Sequence, residues 1–202
     1  MRSVLHLQTL PWNHVRSSIR IASLKAGIAT SGHFKLPNAR NEENLHYAKS
    51  SPERARLDEA LRTLRSKLPM HVPLHVSGTP RTTSQSLTST IPSEHAQEFA
   101  KSSAASVEDV RNAIASALDA KKPWQKTPFV DRAAIFLKAA ELVAGKYRYD
   151  LVAATMLGQG KNAWQAEIDA AAELADFFRF NVSYAEEVYN KQPTLNAPGN
   201  FG

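Results

Sequence analysis

The most constraining stretch of this chain is a helix-spaced apolar stripe in its last quarter. From Trp164 onward, Ile168, Ala171, Ala175, Phe178 and Val182 recur every three or four residues. That spacing puts them on one face of an α-helix, and a face that wide must be buried. Four acids, Glu167, Asp169, Glu173 and Asp176, share the segment. Residues four apart on a helix are neighbours, so Asp169 is expected to stack over Glu173, and Asp176 to meet Arg179. For most such acids solvent is the ordinary surrounding. Glu173 stands apart, because Ala170, Ala171 and Ala172 precede it and Leu174, Phe177 and Phe178 follow. A carboxylate buried there needs a positive partner.

The helices before it are signalled in the same way. Ser51-Pro52 starts one that runs to Leu68, with Leu57, Leu61, Leu64 and Leu68 as a narrow seam. Ser106 and Asp109 form a capping box ahead of Val107, Val110, Ile114 and Leu118, and Trp124 closes that helix against the next. Thr127-Pro128 predicts the following start, as cap and first-turn proline, and Gly145 its stop. A further helix spans about 149–157 and ends at Gly158-Gln-Gly160, where glycines relieve positive φ; the last one reaches about Tyr189. Residues 34–51 are polar and irregular. Residues 72–83 alternate around Ser77-Gly78 and predict a short hairpin with an edge strand at Pro73. Residues 84–106, rich in Ser and Thr, predict a connecting loop with one strand near Glu98 to Lys101.

Charge and cysteine count exclude several functions. The net charge is +6, but residues 1–40 contain no acid and six bases, so the other 19 bases match all 19 acids. A nucleic-acid binder needs its basic excess on the folded part, and that part is neutral. An acid-free, Arg- and Ser-containing start with Val15, Ile19 and Ala22 on one side predicts a mitochondrial transit peptide over residues 1–41, cut shortly before Glu42. No apolar run approaches the roughly 18 residues a membrane span needs, so no membrane partner is expected. With 0 cysteines there is no disulfide, thiolate metal site or cysteine nucleophile.

Two weaker patterns lead nowhere. His71 and His75 would share one face of an extended segment, yet no third ligand is near in sequence and a metal needs three or four. Gly158-Gln-Gly160-Lys161 lacks both the leading glycine and the following Ser or Thr of a phosphate loop, having Thr155 and Asn162 there. Lys161 and Arg179 are ordinary helix-start and helix-pair bases.

The wording TMLGQGKNAWQAEIDAAAELADFFRFN, preceded by FVDRAAIFLKAAEL, resembles the mitochondrial delta-1-pyrroline-5-carboxylate dehydrogenases of the aldehyde dehydrogenase superfamily. The likeness extends from about Phe34 to about Pro193. It implies the α/β fold of that superfamily, of which this chain would be a mainly helical part with a small β-hairpin, lacking the parallel sheet. Its segments would be residues 42–105, a helix, hairpin and loop; residues 106–192, the helical part of an NAD-binding domain; and residues 193–202, an irregular tail where the family's sequence breaks off. The implied activity is NAD-dependent oxidation of L-glutamate γ-semialdehyde to glutamate in proline catabolism, in the mitochondrial matrix, by a homo-oligomer. In the family the glutamate of AAAEL lies near the substrate's amino group, which makes Glu173 a substrate-binding residue. The reaction runs through a cysteine thiolate. A chain without cysteine is expected to be inactive alone, and the alternative is a short non-catalytic partner of a full-length dehydrogenase. Its helices would then lack their sheet and leave Phe177, Phe178 and Phe180 facing water.

Overall fold

The computed structural model describes residues 36–191. The expected presequence, apart from residues 36–41, and the tail 193–202 lie outside the described residues. Residues 36–48 have no regular structure. Helix α1, Pro52–Arg65, follows: the Ser51 hydroxyl accepts the Arg54 N–H at 3.2 Å, proline holds the first helical position, and Arg62 and Arg65 sit in the last turn. Each complements the helix end where it stands.

Five strands come next: β1 Met70–Val72, β2 Leu74–Val76, β3 Thr79–Arg81, β4 Ser86–Ile91 and β5 Glu94–Ser103. The predicted hairpin is β2–β3, registering Val76 with Thr79. The stretch expected to be a loop is instead a second hairpin, β4–β5, and β1 joins β5 in parallel to complete a sheet of order β1-β5-β4. Composition misled here, because serine and threonine mark loops, while alternating β-branched residues also suit a pleated edge whose outer face is wet. Of β4, only Ile91 is buried. The β1–β5 pairing covers three residues, so parallel structure is present but brief.

Helix α2, Val107–Lys126, has the predicted capping box: the Asp109 N–H donates to Ser106 Oγ at 3.2 Å and the Ser106 N–H to Asp109 Oδ2 at 2.9 Å. Helix α3, Phe129–Ala144, begins later than expected. A residue before proline is kept out of helical space, so Thr127 is extended, at φ −67° and ψ 128°, and ends α2 instead of capping α3. Helix α4, Arg148–Gln159, stops at Gly160, whose φ of 70° is left-handed. Gly158 is another matter. It lies inside α4, and a Cβ there would stand 2.8 Å from the Phe99 ring, so close packing of β5 on α4 is what needs glycine.

The last rod is three segments end to end: α5 Ala163–Ala166, a π-helical turn Glu167–Ala172, and α6 Glu173–Asn190. From Ala171 on the predicted stripe is its inner face, with Ala171, Ala175 and Val182 buried, but Trp164 is exposed and Ile168 is half-buried on the groove side. Leu57, Val152, Ala153, Ala166 and Ala171 form one core, joining α1, α4 and the last rod. Burying one such Leu or Val contributes about 1.5–3 kcal/mol. Packing of α6 on α3 brings Phe136 to Phe178 and Phe129 to Tyr189, with centroids 6.1 and 4.7 Å apart. Phe178 is therefore half-buried; Phe180, beside Tyr184, is half-buried too, and of the three Phe177 alone is well exposed, at 58%. Among the described residues no helix is long and apolar enough to cross a membrane.

Candidate functional site

The acid the fold buries is Glu167, not Glu173. Glu167 is 0% exposed and Arg148, at the start of α4, is 4% exposed. The guanidinium closes on this carboxylate through Nη2, with Nε 3.1 Å from the same oxygen. Glu167 also accepts the Leu45 N–H at 2.9 Å and the Tyr47 hydroxyl at 2.5 Å. The rest of the arginine is equally occupied: it reaches Glu42 at 2.7 Å and the carbonyls of Ala144 and Glu43 at 3.1 and 2.6 Å. Every group of a buried ion pair must be met in this way.

The π turn explains why the sequence did not show it. Buried residues fall in pairs five apart, Ala166 with Ala171 and Glu167 with Ala172, which is the stacking of a π turn and not of an α turn. An α-helical reading puts Ile168 on the inner face and leaves Glu167 beside it. The partners gave no local signal either, since Arg148 is 19 residues away and Tyr47 is 120. Glu173 follows the π turn and is exposed. Exposed, it does not require the positive partner expected for a buried carboxylate.

Residues 41–47 lie across the rod as a strap. Besides Leu45 and Tyr47, Asn41 Nδ2 and the Glu42 N–H each donate to Asp176 at 2.7 Å, and Glu42 takes a second arginine, Arg179, at 2.8 Å. Strap and rod enclose a groove of about 570 Å³. Asn41, Glu42 and Asn44 form one wall; Ile168, Ala172, Glu173 and Asp176 form the other, with Phe177, Phe180 and Tyr184 beyond.

Its electrostatics follow from these contacts. Burial alone would raise the Glu42 pKa, but hydrogen bonds from Arg148 and Arg179 outweigh it and hold the carboxyl below the ordinary range. Arg148 is likewise pushed down by burial and lifted further by Glu167 and Glu42. Burial and the bond to Glu167 raise the Tyr47 hydroxyl.

The other predicted residues are dispersed. Lys161 pairs with Asp169, so Asp169 turns to the lysine and not to Glu173. Arg179 meets Asp176 at 3.8 Å as predicted, and in addition bridges to the strap. His71 on β1 and His75 on β2 belong to different sheets, and among the described residues no three His, Cys, Asp or Glu come together as metal ligands. Trp124 closes α2 against α3 by lying over Arg132, 5.9 Å from its guanidinium.

The sequence model of the aldehyde dehydrogenase family matches residues 79–201. This chain belongs to that family. Among individual aldehyde dehydrogenases, it is 51% identical over 187 residues to the mitochondrial delta-1-pyrroline-5-carboxylate dehydrogenase of Emericella nidulans, covering 92% of this chain and 32% of that protein. To the delta-1-pyrroline-5-carboxylate dehydrogenase of Agaricus bisporus it is 55% identical over 166 residues, covering 82% and 30%. The crystal structure of the delta-pyrroline-5-carboxylate dehydrogenase from Mycobacterium tuberculosis bound with NAD and cobalamin superposes with a TM-score of 0.78 at 40% identity, over 83% of this chain and 31% of that one. The chain thus spans about a third of the length of these aldehyde dehydrogenases.

Proposed function

We propose that this chain serves NAD-dependent oxidation of L-glutamate γ-semialdehyde to glutamate, in proline catabolism in the mitochondrial matrix and within a homo-oligomer, and that Glu173 binds the α-ammonium of the substrate. One observation supports the residue. Of the three acids on the groove, Glu42 is held by Arg148 and Arg179 and Asp176 by Asn41 and the Glu42 N–H, whereas the Glu173 carboxylate has no hydrogen-bond or ion-pair partner among the described residues. It is the carboxylate left for a ligand. A hydrogen bond between charged groups contributes about 1.5–3 kcal/mol, roughly a ten- to hundredfold change in affinity. Exposed faces of Phe177 and Phe180 offer apolar surface to the methylenes between ammonium and aldehyde.

NAD would take the hydride. The described residues do not fit a dinucleotide: the parallel pairing is three residues long, and the glycine turn at 158–160 leads to a lysine already paired with Asp169. The thiolate of the family's reaction has no counterpart either, since the chain has 0 cysteines. What these residues supply is binding and orientation.

The test is to isolate the protein from mitochondria with an antibody to the α1 peptide and to follow NADH on adding 1-pyrroline-5-carboxylate. NADH formation is expected, with KM raised at least tenfold and kcat kept in a strain carrying Glu173→Gln. Absence of NADH refutes the reaction, and an unchanged KM refutes the role of Glu173.

A second reading, a non-catalytic chain docking on a full-length dehydrogenase, has one observation in its favour. Val107, Val110, Ile114 and Leu118 of α2 are 51–70% exposed, so the apolar stripe of that helix is uncovered by the described residues. In that case the isolated protein has a mass of 22.3 kDa or less and yields NADH only when a longer dehydrogenase accompanies it.

A further inference from the structure

We infer that Arg148, Glu167 and Tyr47 are positioning residues of this groove: they latch the strap, residues 41–47, in one register across the rod and so fix where its wall stands relative to Glu173. The inference rests on the reading of the groove as the substrate's.

The strap cannot hold itself. It has no ladder or helix of its own, so its backbone polar groups must be met from elsewhere. One of them, the Glu42 N–H, is met on the groove by Asp176; two are met from behind it, the Leu45 N–H by Glu167 and the Glu43 carbonyl by Arg148, and the Tyr47 side chain adds its hydroxyl to Glu167. Neither Arg148 nor Glu167 lines the groove, while Asn41, Glu42 and Asn44 do. The latch therefore acts through the strap and not on the ligand.

Burying an ion pair is poor evidence of a stability gain, since well-packed apolar residues can do as well. It does demand one register. An apolar pair would accept the strap one residue forward or back, but Glu167 has one oxygen for the Leu45 N–H and another for the Tyr47 hydroxyl. A slip breaks both. On the same rod, one π turn sends Glu167 inward at its start and delivers Glu173 outward at its end, so latch and binding carboxylate are set by a single irregularity. Such turns recur at functional sites.

The experiment edits the chromosomal locus to Tyr47→Phe and to Glu167→Gln and isolates each protein as above. Two aldehydes are assayed, the semialdehyde and propionaldehyde, which lacks the ammonium. A loosened wall should raise KM for the semialdehyde about five- to twentyfold, leave its kcat within twofold, and leave propionaldehyde unaffected. Tyr47→Phe removes one oxygen and covers the case in which Glu167→Gln does not fold. Loss of both aldehydes together, or no change with either, overturns the inference. If the unaltered protein makes no NADH, the reaction reading fails, and amide exchange in the 202-residue chain decides the latch alone. Faster exchange confined to residues 41–47 in both variants supports it; unchanged exchange overturns it.

Discussion

Replacing Arg148 by methionine removes the positive half of a pair whose other half has no access to water. Glu167, 0% exposed, then keeps the Leu45 N–H and the Tyr47 hydroxyl, two neutral donors. Breaking a buried pair on one side costs about 3–5 kcal/mol. Glu167→Gln alone is milder, because Arg148 still has Glu42 at 2.7 Å and two carbonyls. Its cost is about 1.5–3 kcal/mol, that of one charged hydrogen bond. The double variant leaves no buried charge unpaired: the glutamine oxygen accepts the Leu45 N–H, its NH2 donates to Tyr47, and Glu42 retains Arg179 at 2.8 Å. It should cost about 2 kcal/mol, less than Arg148→Met by itself. Adding the second substitution therefore restores stability. Urea unfolding of the chain, followed by circular dichroism, reads this directly: with a slope of about 2 kcal/mol per molar, the midpoint of the double variant lies about 1 M above that of Arg148→Met. A double variant as unstable as Arg148→Met, or more so, would refute the claim that the cost is an uncompensated buried charge.

Three further outcomes follow from other contacts. Because the Glu42 carboxyl titrates below its ordinary range in the folded chain, the unfolded chain binds the extra proton; stability contributed by Glu42 is complete above about pH 5 and is lost as pH falls. Glu42→Gln should flatten that acid limb in urea titrations between pH 3 and about pH 6. Tyr47 is shifted the other way, so above about pH 10 only the unfolded chain gives up this proton, and stability falls as pH rises; Tyr47→Phe should remove that share of the alkaline limb. Gly158→Ala sets a helix preference of about 1 kcal/mol against a Cβ 2.8 Å from the Phe99 ring; the overlap outweighs the preference, and thermal unfolding should show a net loss of about 1 kcal/mol.

Where the sequence was legible, the signal was local. The caps at Ser51 and Ser106, the seam of α1 as far as Leu64 and the stripe from Ala171 to Val182 each depend on residues within a turn or two and stand where their spacing put them, whereas α1 stops at Arg65 and leaves Leu68, expected in the seam, outside the helix. Long-range pairing has no such trace. Nothing near Ser86 tells that a Ser/Thr run will meet β5, and nothing near Glu167 tells that Arg148 and Tyr47 will close on it. Arg148 itself reads as a base at the start of a helix, a position with no dipole advantage, and that mismatch is the one clue that it serves something else.

Glu173 and Glu167 show how a residue can be selected for a sound reason that belongs to its neighbour. A carboxylate among alanines and phenylalanines is costly unless a positive group meets it; Glu167 is the acid in that condition, buried and met by Arg148. What distinguishes Glu173 is the reverse condition, an exposed carboxylate on a groove whose other two acids are already engaged. The two roles are linked through the strap, since Glu42 accepts from Arg148 behind the groove and lines its wall in front. A change in the buried pair should therefore be felt at the groove, and a change at Glu173 should leave the buried pair as it is. Stability measured on Glu173→Gln tests this asymmetry: a surface substitution without contacts should fall within about 0.5 kcal/mol of the unaltered chain, while Glu167→Gln should not.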